Sequence, residues 1–112
     1  MHELGLCSSI VEAVERRAGG RPVVRVTVRV GRLHHVHPEA FEQSFAIAAA
    51  GGVAESAAAE LVLLPVRAQC PACGSAWTCG EVPTGCPECG ALDVDLVGGD
   101  ELVLESIEYE GR

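Results

Sequence analysis

Two short turns of the same design, Cys70-Pro71-Ala72-Cys73-Gly74 and Cys86-Pro87-Glu88-Cys89-Gly90, restrict what this chain can fold into more than any other feature. Each sets two thiols two residues apart, the spacing at which one tight turn presents both sulfurs to a single ion, and 12 residues separate the two turns. The proline stiffens each turn, and the glycine relieves crowding where the backbone folds back. A segment of roughly 25 residues cannot bury a core of its own and needs a staple. A tetrathiolate zinc site at Cys70, Cys73, Cys86 and Cys89 supplies one, and a closed four-sulfur site leaves no open position for catalysis. Iron suits the same four thiolates, as in a rubredoxin-like electron carrier, so the spacing alone leaves the ion open. Disulfides are the other reading of paired cysteines. The chain shows no basic n-region, no apolar h-region and no run long enough to span a membrane, which favours metal over disulfides. Cys79, between the two turns, is expected to be a free thiol, and Trp77 the small apolar plug of the ribbon.

The remaining chain has its own periodicities. Leu4, Cys7, Val11 and Val14 fall on one stripe with Ile10 beside it, which predicts a helix over 4–18 that Gly19-Gly20 and Pro22 end. Cys7 on that stripe is expected to behave as a small hydrophobe. Residues 23–31, VVRVTVRVG, alternate as a half-buried strand. Pro38 can open a second helix running to 50, with Phe41, Phe45 and Ala48 as its apolar stripe. Residues 59–66 read as a second strand in which Pro65 is tolerated near an end or edge. The last strand, 101–110, changes parity between Leu104 and Ile107, so a bulge is expected near Glu105-Ser106. The order predicts an α+β fold: two helices packed on a small three-stranded sheet, with an inserted zinc-ribbon domain at 69–91 and the main domain formed by 1–68 plus 92–112.

The charge is distributed unevenly. Six arginines and no acid lie between Arg16 and Arg32, nine acids and one arginine follow from Glu81 onward, and the net charge of −8 includes no lysine at all. Such a chain is a poor tracker of phosphates, so nucleic acid is not expected as a partner, nor is a membrane. The arginines are expected to face the acidic C-terminal strand across a sheet, with an acidic protein partner as the sharper alternative. A soluble, cytoplasmic protein is expected, with no nucleophile elbow or phosphate loop to suggest an enzyme.

Met1-His2-Glu3 would mean little alone. Together with MHELGLCSSIVEAVE, RVTVRVGRL, HPEAFEQSFAIA, CPACG, CPECG and GGDELVLESIEYE, in this order and almost end to end, it resembles the hydrogenase maturation nickel metallochaperones of the HypA/HybF family. That resemblance implies nickel, as transient cargo, bound at Met1, His2 and Glu3, with structural zinc in the ribbon. It implies delivery to the large-subunit precursor of a [NiFe] hydrogenase, a nickel-dependent maturation GTPase as partner, urease maturation proteins in some organisms, and a monomer or weak homodimer. The chemistry of the tripeptide agrees: an α-amine titrating at about pH 8, the His2 amide and the His2 imidazole close adjacent chelate rings around a square-planar Ni²⁺. Glu3 offers an amide nitrogen and a carboxylate, and the resemblance assigns the fourth donor to the amide. A zinc-ribbon interaction module, indifferent to nickel, is the remaining rival. His34, His35 and His37 are unusual for this family. They are read as either a second metal locus or idle solvated rings, with His37 also placed to cap the helix that Pro38 begins.

Overall fold

The computed structural model describes residues 2–111. In chain order it contains α1 (His2–Ala18), β1 (Val23–Gly31), a 3₁₀ turn (Arg32–His34), α2 (Pro38–Ala49), β2 (Ala58–Leu64), β3 (Val66–Gln69), β4 (Ala76–Cys79), β5 (Asp95–Gly98) and β6 (Leu102–Tyr109). Two three-stranded sheets result, ordered β2-β1-β6 and β4-β3-β5. The contacts divide the chain into one compact unit of 1–29, 36–62 and 103–112 and a second of 30–35 and 63–102.

The first unit is built on the expected stripes. On α1 the buried residues are Cys7, Ile10, Val11, Val14 and Ala18. They meet Phe41 and Phe45 of α2, whose rings stack at 6.3 Å, and α1 packs on α2. Val26 and Val28 of β1 are fully buried, whereas Val24, on the same parity, is 43% exposed near the strand start. The stripe of α2 closes on Ala49 rather than Ala48. The helix α1 begins two residues earlier than its periodicity indicates, because the first turn of a helix needs no apolar residue to form.

The arginines of β1 do face acids. Arg25 Nη1 lies 2.7 Å from Glu60 Oε2 and its Nε 3.4 Å from Glu108 Oε1, so one guanidinium joins β2, β1 and β6 across the outer face. Arg29 stands 4.0 Å from Glu105. At the far end Tyr109 donates to the Arg17 carbonyl at 3.4 Å, and Arg21 stacks 4.0 Å above its ring. On β6, Leu104, Ile107 and Tyr109 are half-buried while Glu105 and Ser106 are both exposed, so the parity changes between Leu104 and Ile107.

The second unit takes in more chain than the segment 69–91 marked out by the cysteines. The expected strand 59–66 is divided at Pro65, which lacks the N–H a ladder needs: β2 stops at Leu64, and Val66 opens β3 in the other sheet. β3 pairs antiparallel with β4, Ala68 opposite Trp77, and antiparallel with β5, Ala68 opposite Leu96, with an irregularity between Arg67 and Ala68. The flanking chain on both sides of the cysteines is thereby drawn into one sheet. Close backbone approach marks this unit too: a Cβ on Gly31 would collide with the carbonyl of Gly99.

Candidate metal centres

The two cysteine turns are structural copies. In the first, the Cys70 N–H donates to the Ser75 carbonyl at 2.8 Å and the Gly74 N–H to the Cys70 carbonyl at 2.8 Å. In the second, the Cys86 N–H donates to the Ala91 carbonyl at 2.8 Å and the Gly90 N–H to the Cys86 carbonyl at 2.9 Å. Gly74 and Gly90 occupy the left-handed region at φ 82° and 81°, which closes each turn and which residues with a Cβ rarely adopt. The N–H groups of Glu88 and Cys89 point at Cys86 Sγ from 3.4 and 3.5 Å, the backbone support that a thiolate ligand uses.

The turns bring four sulfurs together. Cys70 and Cys89 Sγ are 3.7 Å apart, Cys73 and Cys86 Sγ 3.6 Å, and all four lie within 4.8 Å of one another. Those separations are far beyond an S–S bond of about 2.05 Å, and every cysteine of the chain is a free thiol. A tetrahedral ion bound at about 2.3 Å sets its sulfurs about 3.8 Å apart, so the donor set and its spacing fit zinc, or iron equally. Electrostatics point the same way. Hydrogen bonds from the Ser75 hydroxyl and backbone bring Cys73 down to about 6. At Cys89 the Ala91 backbone pulls downward, but the Cys70 sulfur, burial and the other two sulfurs outweigh it and push the thiol up to about 11. Four crowded thiols cannot all ionise without a cation between them, and a divalent ion removes that conflict. Ser75, 3.2 Å from Cys73 Sγ, is a functional neighbour that cysteine spacing alone does not reveal.

Cys79 stands apart from the cluster, half-buried in β4 opposite Val66. Cys7 is wholly buried and donates to the Phe41 carbonyl at 3.5 Å. Burial, then the nearby Glu3 charge, pushes its thiol up to about 11, as befits an inert packing residue. Trp77 is half-buried in β4, opposite Ala68.

Of the N-terminal tripeptide, Met1 lies outside the described residues. His2 and Glu3 form the first turn of α1. The His2 side chain is 53% exposed, with Nδ1 3.6 Å from Glu3 Oε1, whereas the Glu3 side chain is only 15% exposed. Glu3 Oε2 accepts the His37 N–H at 3.3 Å. The His37 N–H first, and then the residue's own N–H, hold the Glu3 carboxyl below the ordinary carboxylate range.

The histidines of the 32–37 segment are not gathered. Among the described residues the four cysteines form the only cluster of three or more metal-ligating side chains. His34 Nε2 lies 2.9 Å from the Asp100 carbonyl. His35 is exposed in a left-handed conformation at φ 55°, ending the 3₁₀ turn. His37 occupies the position before α2 but makes no side-chain cap.

The family model described as hydrogenase/urease nickel incorporation, metallochaperone, hypA matches residues 1–109. A hydrogenase maturation factor HypA from Rhodopseudomonas palustris (strain BisB5) is 35% identical over 113 residues, covering 98% of this chain and all of its own. One from Trichormus variabilis is 38% identical over 110 residues, covering 98% of this chain and 96% of its own. The fold is similar to the solution structure of the Ni metallochaperone HypA from Helicobacter pylori, with a TM-score of 0.68, 22% identity and 98% of each chain covered. No helix among the described residues is long and apolar enough to cross a membrane. With the four-sulfur cluster, the α+β architecture and a family match running almost from end to end, the chain belongs to the hydrogenase/urease nickel-incorporation metallochaperone family, HypA, whose members are maturation factors rather than enzymes.

Proposed function

We propose that this protein carries Ni²⁺ at Met1, His2 and Glu3 and hands it on during maturation of a [NiFe] hydrogenase, while Cys70, Cys73, Cys86 and Cys89 hold a structural zinc ion. The observation that carries the nickel reading is the pairing of a chain-long family match with His2 and Glu3 in the first turn of α1. A free α-amine on Met1 and the His2 amide and imidazole surround the ion on adjacent chelate rings, and Glu3 offers an amide nitrogen and a carboxylate for the fourth position. Ni²⁺ takes such donors in a square plane. The exposed His2 ring is the donor a ligand from solution reaches first. The zinc ion cross-links the two cysteine turns, which folds a segment too short to fold alone.

The recipient on this reading is the large-subunit precursor of a [NiFe] hydrogenase, with a nickel-dependent maturation GTPase as intermediary and urease maturation proteins as a second outlet. The protein works in the cytoplasm as a monomer or weak homodimer and touches neither nucleic acid nor membrane. On this reading the nickel-binding domain comprises 1–68 plus 92–112 and the inserted zinc ribbon 69–91, with the ribbon's sheet reaching into the flanking strands β3 and β5.

The test is a Ni²⁺ titration of zinc-loaded protein with a free Met1 amine, beside the same protein carrying one added N-terminal residue. Near-stoichiometric binding lost on extension supports the tripeptide site. Equal binding by both proteins would transfer the nickel to the histidines or the cysteines.

A further inference from the structure

Glu3 has more to do than supply a backbone nitrogen. The helix α2 begins without a side-chain cap of its own: His37 precedes Pro38 and makes no capping bond, and Pro38 has no N–H to satisfy. What meets that end instead is the Glu3 carboxylate, from 34 residues earlier in the chain, accepting the His37 N–H at 3.3 Å. A carboxylate at the positive end of a helix is stabilised there both as an acceptor and as a charge. Its other oxygen faces His2 Nδ1 at 3.6 Å. Nδ1 is the nitrogen that closes a chelate ring with the His2 amide, so an arriving ion displaces that contact and leaves the bond to His37 as the anchor; Glu3 thus joins the first turn of α1 to the start of a different helix, its side chain only 15% exposed.

We propose that Glu3 is a positioning residue for the nickel site: its carboxylate anchors the first turn of α1 to the His37 N–H and so holds the backbone of His2 and Glu3 in place for the ion. This rests on the nickel reading above and adds to it that the affinity of the tripeptide depends on the start of α2. A free peptide of the same three residues has the same donors but lacks the anchor, and ordering them costs entropy that the folded protein has already met.

The experiment compares Ni²⁺ affinity and the Ni²⁺ d–d absorption spectrum in zinc-loaded full-length variants. Glu3→Ala removes the acceptor, and Glu3→Gln keeps one. His37→Ala retains the N–H donor, and His37→Pro deletes it at a φ of −87° that is near the range proline adopts. Outer-shell partners of metal sites are worth about tenfold or more in affinity. Glu3→Ala should therefore bind nickel about tenfold more weakly than the native protein, and His37→Pro about tenfold more weakly than His37→Ala. Glu3→Gln should recover most of the loss, and Glu3→Ala should cost nothing further in the His37→Pro background. The d–d spectrum should be the same throughout.

A spectrum altered in Glu3→Gln would make the carboxylate a ligand and overturn the proposal. So would His37→Pro binding as tightly as His37→Ala. Amide hydrogen exchange of His37 gives a second readout that needs no proline: exchange faster in Glu3→Ala but not in Glu3→Gln is expected, and equal exchange in both overturns the link. His2→Ala separates the two levels. If it binds nickel as the native protein does, the tripeptide reading itself fails. If it loses nickel while His37→Pro does not, only the positioning role fails.

Discussion

Cys70 Sγ and Cys89 Sγ, 19 residues apart in sequence, stand 3.7 Å from each other. Neither belongs to the other's turn, so the cluster joins two local motifs, and on the proposed function an ion between them would supply its cohesion. Removing the metal with a strong chelator is expected to dissolve the β4-β3-β5 sheet and leave α1 and α2 helical, since their core is made of Cys7, Val14, Phe41 and Phe45. The check is a red shift of the single tryptophan, Trp77, with far-UV helical signal retained. Trp77 emission that does not change on chelation would show that the ribbon folds without metal. Cys73→Ser should lower zinc retention in the same assay, because it removes one of the four clustered sulfurs that could hold the ion.

Gly74 and Gly90 share one conformation, and a Cβ added to either would meet nothing within 4 Å, so the cost of a side chain there is conformational only. Gly74→Ala and Gly90→Ala should each destabilise by about 1 kcal/mol, and by similar amounts. Gly31→Ala should cost more, about 3 kcal/mol, because its Cβ meets the Gly99 carbonyl rather than open space. Denaturant unfolding of the zinc-loaded variants ranks the three.

Arg25 binds Glu60 and Glu108 on an open face, with side chains 42%, 53% and 59% exposed. Water and salt screen such pairs, so Arg25→Ala should cost only about 0.5 kcal/mol in low salt and less still in about 1 M salt. Nickel and zinc stoichiometry should not change. A larger loss in thermal unfolding would mean that the three-strand link contributes packing as well as charge.

The Cys7 thiol is raised to about 11 by burial first and by Glu3 second. Because the folded-state value is raised, the thiol stays protonated throughout the neutral and mildly alkaline range. Its thiolate fraction at pH 8 is then on the order of 10⁻³. Alkylation of zinc-loaded protein at pH 8 should modify Cys79 and leave Cys7 intact, as peptide mass mapping would show. Modification of Cys7 at the rate of Cys79 would mean that α1 opens readily.

Much of the protein is legible in its residues because the signals are local. The cysteine turns advertise themselves through Cys-Pro-x-Cys-Gly, both helices through their apolar stripes, and β1 through strict alternation, each a pattern that one element's geometry imposes. Pro65 is legible as a strand interruption but not as the point where the chain changes sheets, since that depends on what Val66 pairs with. The four-residue strands β4 and β5 carry no readable period. They exist because β3 offers both its edges and because the sulfurs draw 70–89 together. The anchoring of Glu3 by the His37 N–H leaves no trace in spacing at all: a backbone donor has no letter in a sequence, and only the packing of α1 on α2 brings it to the carboxylate. The order of residues dictates which donors this protein owns. Which of them meet is a property of the folded chain, because a contact across 34 residues is set by how two helices pack and not by either helix alone.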